Sequence, residues 1–171
     1  MSLLRRLFSD HTPVELVDAL DAGEHVLAAA EVSGGGHIAV TALGLWVPGP
    51  RRIGWHLITK AAWAEGAVTV TEARETGRAG GAVLLEDLPP VRHPVPRPGK
   101  LPKLVWQRVD GSIRQRHRQE FPDGGGAWFV LRKVPGRDGV VLQARPDPGT
   151  DSGLVEEIAA EAAHKMARPE G

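Results

Sequence analysis

The chain has 171 residues, which is enough for one domain that buries roughly 70% of its unfolded surface without a metal or disulfide. Its 21 basic and 21 acidic residues cancel, so the whole-chain charge gives no indication of a nucleic-acid or anionic-membrane partner. Cysteine is absent, which excludes a disulfide framework, a thiolate nucleophile and an iron–sulfur cluster. No stretch approaches the ~20 apolar residues of a spanning helix. We therefore expect a soluble, cytoplasmic protein.

The N-terminal segment, residues 1–22, is predicted to be helical and to pack on a β-barrel. A helix over 13–21 is predicted because Thr12 suits the N-cap, Pro13 the first helical position and Glu15 the third. Ahead of it lie four large apolar residues that we expect to pack on the barrel, with a weak membrane foot as the alternative: Leu3, Leu4, Leu7 and Phe8.

Residues 23–149 have the sequence pattern of short antiparallel strands separated by glycine-rich and proline-rich turns. The proline-rich segment 88–102 is predicted to be a stiff connector without ladder pairing, with one or two helical turns from 101 to 109. The predicted strands are 24–32, 37–47, 51–58, 67–71, 82–85, 112–121, 127–134 and 140–145.

Residues 150–171 are predicted to form a C-terminal amphipathic helix, capped by Asp151 or Ser152 and running to about Met166. An open meander would leave two exposed edges, so the sheet is expected to curl and the helix to close one end. The predicted fold is mainly β (α+β): a small, partly closed antiparallel barrel of about seven to eight strands, with a short N-terminal helix and a C-terminal capping helix, in a single domain.

Four segments resemble bacterial pleckstrin-homology-like (PH-like) domains, in particular those of actinobacterial proteins: 23–28, 38–45, 51–58 with Trp63, and 105–113. The resemblance covers mainly residues 24–75. It implies a small barrel that docks proteins or lipid headgroups and is not an enzyme, and it transfers no site residue. The chain departs from the family's seven-strand barrel by its proline-rich connector and at least one additional strand.

Catalytic and metal-binding patterns are missing from the sequence. The seven histidines include no HxH or HxxxH pair, and no serine lies in a G-x-S-x-G or S-x-x-K motif. The triple glycines at 34–36 and 124–126 join strand to strand, whereas phosphate-binding loops lead into a helix. We expect no catalytic residue, no metal and no cofactor.

The tryptophans and one arginine run are the candidate binding residues. Trp46 and Trp55 are predicted to be core residues, whereas Trp106 follows the proline segment and suits contact with a protein partner, the alternative being packing on the barrel. On a strand over 112–121, Arg114, Arg116 and Arg118 would project from one face at roughly 6.6 Å intervals. This row is either the charge protection of an edge strand or a surface for an anion or acidic partner.

The leading functional prediction is a non-enzymatic PH-like binding or scaffolding module that recognises a protein partner. The first alternative is peripheral association with anionic lipid headgroups through the arginine row. The second, single-stranded nucleic-acid binding, would pair the same arginines with Trp106 or Trp128 as stacking platforms, and it needs an exposed aromatic side chain beside the arginine row.

Overall fold

A computed structural model describes residues 12–167. The described chain is mainly β, with eleven strands and two α-helices. It divides into two compact units, the first formed by residues 12–72 and 89–110 and the second by 73–88 and 111–167. The predicted apolar foot at Leu3, Leu4, Leu7 and Phe8 lies outside the described residues.

The first unit contains two groups of antiparallel strands and a helix. A four-stranded sheet is connected in chain order by β1 (Ala28–Glu31), β2 (His37–Val40), β3 (Gly44–Val47) and β4 (Arg51–Gly54). Residues 67–70 pair on both sides, with β5 (Ile58–Ala64) and with β8 (Val91–Pro94), and belong to β6 (Ala67–Ala79). Helix α1 (Leu101–Ser112) follows.

The core of the first unit is built by both strand groups and α1. Helix α1 contributes Leu101, Val105 and Val109, whose spacing of four residues places them on one helical face. They pack in one cluster with buried strand residues such as Ile38 and Leu45. Helix α1 therefore packs against the core through one apolar stripe, and the residues on its other faces are not required for this packing.

The second unit is a five-stranded arrangement covered by a helix on one face. Its strand order is residues 73–79 of β6, then β7 (Ala82–Asp87), β11 (Val140–Pro146), β10 (Gly126–Lys133) and β9 (Ile113–Glu120). Only the β7–β11 pairing is parallel. Helix α2 (Ser152–Ala167) packs Val155 and Ala159 against Phe129 and Leu142.

Several predicted elements are confirmed. The first hairpin is the β1–β2 pair, the three strands after residue 112 are β9, β10 and β11, and α1 extends the few helical turns expected from 101 to 109. Asp151 caps α2, because its Oδ1 accepts the N–H groups of Gly153 and Leu154 at 2.9 and 3.3 Å.

The predicted N-terminal helix over 13–21 is wrong within the described residues. Only Val14–Leu16 forms a short 3₁₀ turn, and its N-cap residue is Pro13, with no side-chain cap. The Glu15 carboxylate, expected to complete a capping box, instead lies 2.6 Å from Nδ1 of His37 on β2. A tertiary contact therefore replaces the local one.

Three strand boundaries also differ from the predictions. The single strand over 37–47 is interrupted at Thr41, whose Oγ1 accepts the N–H groups of Leu43 and Gly44 and so turns the chain. The strand over 51–58 ends at Gly54, and the 3₁₀ turn Trp55–Leu57 follows. The connector does pair, as β8, with Pro89 and Pro90 before the strand and Pro94 as its last paired residue, opposite Ala67.

The strand count is larger than the seven to eight that the sequence indicated, because the predicted strand over 37–47 is divided into β2 and β3, and because β5 and β8 form in segments where no strand was predicted. The PH-like barrel, the boundaries at residues 22/23 and 149/150 and the single-domain organisation stay predictions. None of the helices between residues 12 and 167 combines the length and the apolar composition that crossing a membrane requires.

Candidate binding surfaces

An apolar groove of about 240 Å³ lies in the first unit between β5 and α1. Trp63 and its two preceding alanines line it from β5, Val68 lines it from β6, and Pro102, Val105 and Trp106 line it from α1. All of these lining residues are apolar, and both tryptophans are exposed, Trp63 by 43% and Trp106 by 62%. Two large, partly exposed aromatic side chains therefore lie at one apolar groove.

Trp106 is exposed because of its position on α1. Val105 points into the core, and the next residue is rotated by about 100° around the helix, away from that stripe. Pro102 occupies the first turn of the helix, where the missing N–H is not needed. Most of the Trp106 side chain is thus on the surface, and its contact with a partner stays a prediction.

Trp63 lies on β5, which is an edge strand. β5 pairs with β6 through matches such as Trp63 with Val68 and Ala61 with Val70. Among residues 12–167 no second strand pairs with β5. The groove is therefore bordered by a strand whose outer backbone groups are open to an extended segment.

The arginine run lies on β9, which is the edge strand of the second unit. Arg114 and Arg116 are exposed, and no ion pair within the described residues includes either of them. The register with β10 shifts between Leu131 and Arg132, where Arg114 is skipped. The regular alternation predicted for all three arginines therefore holds for Arg116 and Arg118 only.

Arg118 is committed to contacts inside the second unit. Its Nη1 donates to Oδ1 of Asp147 at 2.8 Å, its Nη2 donates to Oδ2, and its Nε donates to Glu120 at 2.9 Å. The hydrogen bond with Asp147 and then that with Glu120 raise the pKa of Arg118. Its guanidinium also lies 5.7 Å from the centre of the Trp128 ring. Arg118 thus covers one face of Trp128.

A buried arginine that the sequence analysis did not single out lies beside this row. Arg132 on β10 is only 2% exposed, and its Nε donates to Oγ of Ser112 at 2.9 Å. Burial, then the charges of Arg145 and Arg116, lower its pKa to about 10. The sequence of β10 is mostly apolar with Arg132 near its end, and nothing in this pattern distinguishes a buried arginine from an exposed one.

The histidines and carboxylates form no metal cluster anywhere in residues 12–167. The His37–Glu15 contact, which sequence spacing could not show, borders a polar hollow lined also by Thr12 and Arg97. No serine is among the lining residues of this hollow.

The structure places Trp106 in the first unit and Arg114, Arg116 and Arg118 in the second. Trp63, which the sequence analysis used only as part of a family resemblance, joins Trp106 at the groove. Comparison of the chain with protein-family profiles, with curated proteins and with solved structures found no match.

Proposed function

We propose that this chain is a non-enzymatic protein-binding module, and that the groove between β5 and α1 receives an apolar side chain of an extended partner segment. The observation that carries the proposal is the joint exposure of Trp63 and Trp106 at one apolar groove. Tryptophan is enriched among the residues that dominate binding energy at interfaces, where it fills or lines desolvated pockets.

The adjoining edge of β5 supports an extended partner. A segment that pairs with β5 satisfies its own backbone groups while every second side chain faces the groove. Pro102 and Val105 supply further apolar surface for such a side chain. The proposed recognition therefore combines backbone pairing with one aromatic-lined pocket.

We assign the PH-like character to the first unit alone. That unit has seven strands among its described residues, β1 to β6 and β8, followed by α1. The family resemblance implies a barrel of seven strands, and we propose that α1, and not the C-terminal helix, closes one end of it. The surplus strands belong to the second unit.

The partner class follows from the surroundings of the tryptophans. For single-stranded nucleic acid, a stacking platform needs a free aromatic face beside cations, whereas Arg118 covers one face of Trp128 and only apolar residues line the groove at Trp106. Arg118 is already paired with Asp147, so it is not available to bind a lipid headgroup together with the other two arginines of the row. An apolar protein segment fits the groove better than either alternative.

A peptide selection on the full-length chain tests this function. Extended peptides are selected from a random phage-displayed library, and the tightest peptide is titrated against wild type, Trp106→Ala, Trp63→Ala and the control Val14→Ala, whose 85% exposed side chain lies outside the groove. We expect a loss of about tenfold or more for each tryptophan variant and none for the control. Equal affinity for all four proteins would remove the groove from the proposal.

A further inference from the structure

Strand β9 leaves one edge of the second unit's sheet open, and we propose that this edge binds an extended acidic segment of a partner protein by strand addition. Within residues 12–167, β9 pairs with β10 and with no other strand. The site lies in a different unit from the tryptophan groove, and it does not depend on the function proposed for that groove.

The backbone of β9 has a defined set of outward-facing groups. The Phe121 N–H donates to the Gly125 carbonyl at 3.1 Å, which makes these two residues a hydrogen-bonded pair at the turn. Because such pairs alternate along an antiparallel ladder, residues 119, 117 and 115 bond to β10, whereas 116, 118 and 120 direct their N–H and C=O groups away from it. An added strand would meet these outward groups.

The charge of this edge is positive and only partly compensated. Arg118 is neutralised by Asp147 and Glu120, but Arg116 and Arg114 are exposed and have no ion pair within the described chain. Arg116 is also one of the two arginines that lower the pKa of buried Arg132. The open groups of residue 116 therefore lie in a field that favours an anionic neighbour.

Charge decides between the possible occupants. A second copy of β9 would bring Arg116 opposite Arg116 or Arg118 in the antiparallel registers centred on residues 116 and 117, and like charges in that position are destabilising. The register centred on residue 118 would instead place Arg116 opposite Glu120 and Arg118 opposite Arg118. A lipid headgroup could contact the guanidinium groups but would leave the outward N–H and C=O groups unpaired. A strand with carboxylates at every second position matches both the side-chain period and the backbone groups. A strand with alternating carboxylates can place one opposite Arg116 in any register, whereas a second copy can do so in one register only, so the charge of the edge favours an acidic strand.

The test uses the full chain and three synthetic octapeptides. The probe alternates Glu and Val, a second peptide has Lys in place of Glu, and a third is the Glu–Val peptide with N-methyl groups on alternate backbone nitrogens. Affinity is measured for wild type, Arg116→Glu and the control Arg137→Glu, which changes an exposed arginine of the β10–β11 turn. Circular dichroism and the urea midpoint verify that each variant is folded.

We expect the Glu–Val peptide to bind wild type and the control equally, and to bind Arg116→Glu about tenfold more weakly or worse. Amide exchange at residues 116 and 118 should slow in the complex. The Lys and N-methylated peptides should not bind, because one lacks the charge and the other the donors. Absence of binding by the Glu–Val peptide, equal binding by its N-methylated form, or binding of phosphatidylserine vesicles without peptide binding would overturn the proposal.

Discussion

Arg52 donates a hydrogen bond of 2.7 Å to Glu24, whose side chain is fully removed from solvent. The same carboxylate accepts hydrogen bonds from Thr41 Oγ1 at 2.6 Å and from Trp46 Nε1 at 3.1 Å. The Arg52 guanidinium also lies 5.6 Å from the centre of the Trp46 ring. Glu24 therefore ties the N-terminal segment to the four-stranded sheet through partners from three positions of the chain.

Replacing Glu24 with Ala should destabilise the first unit by about 3–5 kcal/mol, because it leaves the buried donors of Thr41 and Trp46 without their acceptor and removes one of the two carboxylates that contact Arg52. Urea unfolding monitored by fluorescence measures the change. The matched control is Glu72→Gln, which breaks the bidentate pair with the exposed Arg51 and should cost about 1 kcal/mol or less. Similar losses for both variants would contradict the role assigned to Glu24.

Acid should weaken the wild-type protein more than a Glu24→Gln variant. Burial alone would raise the pKa of Glu24, but three hydrogen bonds and the charge of Arg52 lower it. The carboxylate's contribution to stability is therefore complete above its unfolded pKa of about 4.3 and is lost as the pH falls through the lower, folded value. We expect the urea midpoints of the two proteins to converge below about pH 4, and parallel pH profiles would disprove this.

Trp106 should contribute little to the stability of the fold, as expected of a residue whose role is in binding. Because its side chain is 62% exposed, Trp106→Ala should change the free energy of unfolding by about 0.5 kcal/mol or less. Trp55 is 2% exposed and donates to the Thr41 carbonyl at 2.9 Å, so Trp55→Ala should cost about 3–5 kcal/mol. Urea midpoints of both variants measure this contrast, and a large loss for Trp106→Ala would assign it to packing.

Gly126 should resist substitution because Arg118 crosses it. A Cβ at Gly126 would lie 2.5 Å from Arg118 Nη2 and 2.7 Å from the Gln119 carbonyl oxygen, and relief requires the β9 backbone to move. We expect Gly126→Ala to cost about 1–3 kcal/mol. Gly77→Ala is the control, since its nearest neighbour would be at 3.8 Å, and it should be close to neutral. Thermal unfolding of the two variants decides.

The sequence predicted elements whose signals are local. Asp151 is a typical N-cap residue and marks the start of α2, and glycine-rich turns separate β9, β10 and β11. It mispredicted two places for different reasons. Glu15 contacts His37, 22 positions away, and does not cap a helix, and a tertiary contact of this kind has no sequence period. Thr41 closes a local turn with Leu43 and Gly44, but it does so inside an apolar run that has the pattern of one continuous strand.

The candidate sites divide in the same way. Trp106 could be selected from its position after the prolines, and it proves to be exposed. The groove could not be predicted, because Trp63 and Trp106 are separated by 43 positions and meet only through the pairing of β5 and the packing of α1. The ion pair between Arg118 and Asp147 could not be predicted from the sequence either, because the two residues are 29 positions apart.

Strand β6 runs without interruption from Ala67 to Ala79, pairing with β5 and β8 at its start and with β7 further on. The hairpin of residues 73–88 is thus inserted between two parts of the first unit. Any contiguous fragment that ends near residue 110 retains β7 but lacks β11, its parallel neighbour. In such a truncation product the backbone N–H and C=O groups of β7 that face β11 would be unpaired, and the fragment would tend to aggregate. Biochemical dissection of this chain therefore requires point substitutions, because cutting it cannot deliver the first unit intact.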